Sequence, residues 1–117
     1  MKFTKSLKEN YEFRRLYAKG KNAASPFIAV YYRRRKGEKN RLGFTVGKKI
    51  GIAVVRNRTR RRLREIYRLH EGELGRGYDI VIVARTRAAT ATYRQLDDSF
   101  VKLMDKLGLF NKEETPC

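Results

Sequence analysis

The sequence predicts a small α+β fold, with elements in the order helix, strand, strand, helix, strand, helix. Three observations carry this reading. Residues 27–34 and 41–48 alternate side chains with the period of two that strands require. Residues 54–74 repeat apolar positions at helical spacing, and residues 93–107 do the same. Residues 78–84, YDIVIVA, form a near-continuous apolar run, as expected of a strand covered on both faces.

The first helix follows Ser6-Leu-Lys-Glu9, which has the form of a capping box, with Asn10 as a second candidate cap. Phe13, Leu16 and Tyr17 then share one face, and Gly20 suits a stop. In the first strand Ile28, Val30 and Tyr32 point one way, while Phe27, Ala29, Tyr31 and Arg33 point the other. The polar turn 36–40 leads to the second strand, most simply antiparallel to the first. There Leu42, Phe44 and Val46 carry bulk, whereas Gly43, Thr45 and Gly47 leave a nearly bare face. In the long helix Val55, Thr59, Leu63, Ile66, Tyr67, His70 and Leu74 form the apolar stripe. Asn57, Arg61, Arg64 and Arg68 form the opposite one, and Gly72, Gly75 and Gly77 interrupt the pattern. Thr92-Tyr-Arg-Gln95 is another capping-box form, opening a last helix that Gly108 ends.

With 117 residues, 41% of them hydrophobic and only two prolines, the chain is expected to form one domain over 1–117, with 111–117 frayed. Its 29 Lys and Arg against 12 Asp and Glu give a formal net charge of +17. A domain this basic repels itself unless a polyanion neutralises it, and nucleic acid is the usual polyanion. A membrane partner is disfavoured, because no run approaches the ~20 apolar residues of a spanning helix. The lysine-rich start lacks the apolar stretch of a secretory signal, so the cytoplasm is the expected compartment. Cys117 is the single cysteine, without zinc-spaced neighbours.

Arg56-Asn-Arg-Thr-Arg-Arg-Arg-Leu-Arg64 dominates the chemistry. Six of its nine residues are arginine, and Arg68 extends the series. Guanidinium forks grip phosphate bidentately and hold their charge when partly desolvated. Like charges at i, i+4, such as Arg56/Arg60 and Arg60/Arg64, cost ~0.2–0.5 kcal/mol each, so their repetition points to an external anion. Lys48 and Lys49, at a strand end before this helix, can add phosphate contacts. Phe13, Tyr17, Phe27 and Tyr31 are candidate base platforms, with Tyr31 expected to be the most exposed. His70, on the apolar stripe, is expected to be a satisfied, half-buried imidazole. The carboxylates show no converging pattern of the kind two-metal nucleases need, so no protein-borne active site or metal site is expected.

The stretch Lys48-Lys-Ile-Gly-Ile-Ala-Val-Val-Arg-Asn-Arg-Thr-Arg-Arg-Arg-Leu-Arg64 closely resembles the signature of the bacterial ribonuclease P protein component, of which Arg-Asn-Arg at 56–58 is the hallmark. The segments Leu7 to Gly20, Phe27 to Tyr32, Arg41 to Lys49 and Tyr78 to Arg85 are similar to that family too. The resemblance implies a two-layer αβββαβα sandwich with a left-handed βαβ crossover, like ribosomal protein S5 domain 2, and an extra short strand near Ala23 to Ser25. It implies a non-catalytic subunit of an endoribonuclease, whose RNA holds magnesium and removes the 5′ leader of precursor tRNA. The implied partners are ribonuclease P RNA and precursor tRNA, with no small-molecule substrate. Arg56, Asn57, Arg58, Arg60, Arg61, Arg64 and Arg68 match the face that meets the catalytic RNA. Phe13, Tyr17, Tyr31, Thr45, Lys48 and Lys49 match the cleft for the leader. Two departures stand out. Ile52 occupies a usually polar position ahead of the long helix, and Tyr17 adds a hydroxyl where the family often has Phe. A ribosomal or other structural RNA binder would share the charge and size, but would need no aromatic groove.

Overall fold

The computed structural model describes residues 2–35 and 37–110; the expected frayed tail, 111–117, lies outside them. The elements run β1 (Thr4–Ser6), α1 (Asn10–Lys19), β2 (Lys21–Ala24), β3 (Ile28–Arg34), β4 (Asn40–Thr45), α2 (Ala53–His70), β5 (Tyr78–Ala84) and α3 (Tyr93–Lys106). The fold is mixed α+β, with one five-stranded sheet in the order β1-β4-β5-β3-β2.

The sheet is arranged around β5. It pairs in parallel with β4 and antiparallel with β3, so β3 and β4 are not neighbours. The expected antiparallel pairing of these two strands is therefore wrong. The reason is burial: Ile80 and Ile82 point to one face, Val81 and Val83 to the other, and a strand apolar on both sides belongs in the centre. On the first face the main core joins Ile28, Val30 and Leu42 of the sheet to Leu63, Ile66 and Tyr67 of α2 and Leu96, Phe100 and Met104 of α3. On the second face α1 covers Val81 with Leu16, and Phe13 and Tyr31 pack at the margin.

A further strand, β1, was not expected. Ser6 belongs to it and not to a capping box; α1 starts at Asn10 behind Glu9, with no side-chain cap. β1 runs parallel to β4 and is tied down by Glu71, whose carboxylate accepts the Lys2 and Phe3 amides (2.7 and 3.2 Å) and the Thr4 hydroxyl. The short strand implied near Ala23 to Ser25 is present as β2, starting two residues earlier. The long helix keeps its predicted stripe, with Thr59, Leu63, Ile66 and Tyr67 buried, but ends at His70 in a 3-10 turn over 71–73. Ile52 stands at its N-cap without any side-chain hydrogen bond, and is 72% exposed. The capping box of α3 is formed in full: Thr92 accepts from the Gln95 amide (3.1 Å) and Gln95 accepts from the Thr92 amide (2.9 Å). Among the described residues no helix is long and apolar enough to cross a membrane.

Candidate nucleic-acid interface

The arginine helix follows β4 by way of a short 3-10 turn over Lys48–Ile50. Burial of its apolar stripe against the sheet and α3 turns Asn57, Arg60, Arg61 and Arg64 outward, and all four are exposed. They form one wall of a cavity of about 650 Å³. The facing walls are Thr4 to Leu7 at the N-terminus, Phe13 of α1, and Leu42 to Phe44 of β4. Asn57 accepts a hydrogen bond from Arg60 (3.3 Å).

The other three residues matched to this face are not in that wall. Arg68 forms two hydrogen bonds with Glu65 (2.6 and 2.8 Å), and that contact lowers the Glu65 pKa from its ordinary value. Arg58 leans toward the Ala89 carbonyl (3.5 Å). Arg56 is half-buried, and its Nε has no partner among the described residues. Arg62 resembles Arg58, donating to the Ala91 carbonyl (3.3 Å). The arginine series thus divides into a cavity-facing set, Arg60, Arg61 and Arg64, and a pair, Arg58 and Arg62, that reaches carbonyls of the segment before α3, while Arg68 pairs along the helix with Glu65.

A second cavity of about 520 Å³ lies between α1 and β4, lined by Asn10, Phe13, Arg14, Tyr17, Phe44, Thr45 and Val46. Phe13 borders both cavities, so the aromatic cleft and the basic helix face adjoin. Phe13 reaches this position because Gly43 has no side chain: a Cβ there would lie 2.5 Å from the ring tip. The face expected to be bare at Gly43 is therefore covered by the protein's own ring. At Gly47 the space is open.

The cleft is held by charge as well as by packing. Arg41 of β4 forks onto Asp79 of β5, two bonds of 2.8 Å, and also pairs with the nearly buried Glu12 of α1. The Asp79 bond raises the Arg41 pKa despite desolvation, so the half-buried guanidinium that joins helix and sheet keeps its charge.

Of the residues matched to the leader cleft, Phe13, Tyr17 and Thr45 come together. Tyr17 is 39% exposed and its hydroxyl meets Thr45 Oγ1 at 2.5 Å. Tyr31 does not line either cavity. It is half-buried, with Tyr17 edge-on to it at 5.0 Å and 77°. Of the four candidate platforms Tyr17, and not Tyr31 as expected, is the most exposed ring, because the helix lies over Tyr31. Lys48 and Lys49 are exposed just beyond the cleft, outside its lining. Asn10 and Arg14, and Thr4 to Ser6 beside the arginines, were missed by sequence reasoning. The i, i+3, i+4, i+7 spacing of Asn10, Phe13, Arg14 and Tyr17 was the available signal for the first pair.

His70 is a satisfied imidazole, as expected. Nε2 meets Asp97 at 2.8 Å, Nδ1 meets Glu73 at 3.0 Å, and the ring stacks on Phe100. Burial opposes its charge, but the two carboxylates prevail and raise its pKa above the ordinary value.

Comparison with known proteins decides the family. The model of the family described as Ribonuclease P matches residues 1–108. The chain belongs to the ribonuclease P protein family. It is 45% identical to the ribonuclease P protein component of Caldanaerobacter subterraneus subsp. tengcongensis, over 97% of each chain. The RNase P protein of Staphylococcus aureus superposes with a TM-score of 0.83 at 34% identity, covering 91% of this chain and 97% of that one. The RNase P protein of Thermotoga maritima gives 0.79 at 25% identity, covering 87% and 96%. Membership makes this chain the protein subunit of an endoribonuclease that removes the 5′ leader of precursor tRNA, with catalysis carried by the RNA.

Proposed function

We propose that the protein holds ribonuclease P RNA on the outward face of α2 and the single-stranded leader of precursor tRNA in the cleft between α1 and β4. The observation that carries this reading is the shared wall at Phe13, which places a row of phosphate-binding forks next to an aromatic groove. Asn57, Arg60, Arg61 and Arg64 are the central contacts to the catalytic RNA, with Arg56, Arg58 and Arg68 at its margins. In the cleft Phe13 and Tyr17 offer rings to unpaired bases. Tyr31 backs Tyr17, Thr45 stands at the rim, and Lys48 and Lys49 meet the leader's phosphates beyond it. The magnesium of the reaction is placed on the RNA subunit. What supports this is membership of a family in which the RNA subunit carries the catalysis. The cytoplasm, where precursor tRNA is made in bacteria, is the proposed compartment.

The test compares two ligands. The reconstituted holoenzyme is titrated with precursor tRNA and with mature tRNA, for the wild type, Tyr17→Ala, and Arg61→Ala with Arg64→Ala. Tyr17→Ala is expected to weaken precursor binding alone, by roughly 5- to 150-fold if base stacking is its main role. The arginine variant is expected to weaken assembly with the catalytic RNA. Equal loss for both tRNAs on removing Tyr17 would refute the cleft assignment.

A further inference from the structure

Tyr17 lies in the last turn of α1, with only Ala18 and Lys19 before Gly20 ends the helix. An exposed ring at a helix end is normally free to change rotamer. Here it is held at both ends. Its hydroxyl meets Thr45 at the end of β4, and its ring meets Tyr31 on β3. These strands are not neighbours: Val83 of β5 pairs with Thr45 on one side and with Ala29 of β3 on the other. The ring therefore bridges the central strand.

From this geometry we infer that Thr45 is a positioning residue that acts through the Tyr17 hydroxyl. It holds the ring in one orientation as a prepared platform for an unpaired base of the leader. The inference rests on the proposed reading of the cleft and deepens it. Two features support it. The hydroxyl is the group that Tyr17 adds to a ring position where phenylalanine would stack equally well, and Thr45 is the group that receives it. The second is that the pair shares one hydrogen bond between two hydroxyl protons. One proton and several lone pairs thus stay available to water or to a base edge, so holding the ring sacrifices no polar group. A platform fixed before binding lowers the ordering cost of the bound state. Losing one such neutral hydrogen bond should cost about 2- to 10-fold in affinity, and no more, because the ring remains.

The experiment is a double-mutant cycle on the reconstituted holoenzyme, read as affinity for precursor tRNA and for mature tRNA. Tyr17→Phe and Thr45→Val are each expected to weaken precursor binding about 2- to 10-fold. The double variant should be no worse than either one, mature tRNA should bind as before, and Thr45→Ser should bind precursor like the wild type. Four results would overturn the inference: losses that multiply in the double variant, Thr45→Ser behaving like Thr45→Val, unchanged or tighter precursor binding by Tyr17→Phe, and a loss shared by mature tRNA. Tyr17→Ala separates the two layers of the argument. If it weakens precursor binding while Tyr17→Phe and Thr45→Val do not, the cleft stands and the positioning role falls. If Tyr17→Ala also changes nothing, both fall.

Discussion

Replacing Gly43 by alanine tests whether Phe13 is held in the wall between the cleft and the arginine helix. The new Cβ would lie 2.5 Å from Phe13 Cζ, 2.7 Å from Cε1 and 3.3 Å from Leu7 Cβ. Ordinary contact needs about 3.5–4.0 Å, so the ring must move by roughly an ångström or more. Overpacking of this kind costs typically 1–3 kcal/mol. Here the clash falls on the tip of a half-buried ring next to two cavities, so the ring can swing away, and the cost belongs at the lower end, about 1 kcal/mol. For a domain of this size that lowers Tm by roughly 4 °C. Function should suffer more than stability, because a displaced Phe13 enters the space proposed for the leader. Thermal denaturation gives the first number, and titration of the holoenzyme with precursor and mature tRNA gives the second. A Gly43→Ala protein that melts with the wild type and keeps its preference for precursor would show that Phe13 does not need this glycine, and the account of the wall would be wrong.

Three other outcomes follow from the same contacts. Arg61→Ala or Arg64→Ala should each reduce the salt slope of catalytic-RNA binding by about 1, whereas Arg62→Ala, whose guanidinium is engaged by the Ala91 carbonyl, should leave the slope intact; equal slopes for all three would contradict the division of the helix face. Glu71→Ala leaves the Lys2 and Phe3 amides without their acceptor, and should cost about 1–3 kcal/mol and speed hydrogen exchange across residues 2–7 relative to α3. His70 has a folded pKa raised above its unfolded value near 6.5, so its stabilising contribution is complete below about pH 6 and is lost as pH rises through the folded pKa. Melting should therefore fall between pH 6 and pH 8 more steeply for the wild type than for His70→Gln, and parallel profiles would exclude the Asp97 and Glu73 contacts as the cause.

The elements with a strong period were legible before the structure: α2 with its two stripes, α3 with its cap, and the doubly apolar β5. Pairing was less legible, because alternation in β3 and β4 fixes which side chains share a face but not which strand lies beside them. The information was present in YDIVIVA, since a strand buried on both faces has to be interior. β1 could not be read, because Thr-Lys-Ser carries no apolar pattern; its order comes from parallel pairing with β4 and from Glu71, 67 residues away from Thr4. The candidate site was legible by residue type but not by depth. Tyr31 and Tyr17 both suited a base platform, and only the placement of α1 over the sheet exposes one and shelters the other. Likewise the arginine run announced an anion, while the carbonyls that engage Arg58 and Arg62 come from a segment some 30 residues on.

The central claim is that the protein supports an RNA catalyst by binding it and the leader together. The most direct measurement adds purified, RNA-free protein to a bacterial ribonuclease P RNA at low magnesium and follows cleavage of precursor tRNA. Rapid cleavage at the mature 5′ end is expected with both components present, and none with the protein alone. Failure of the protein to stimulate the RNA, or cleavage by the protein without RNA, would contradict it.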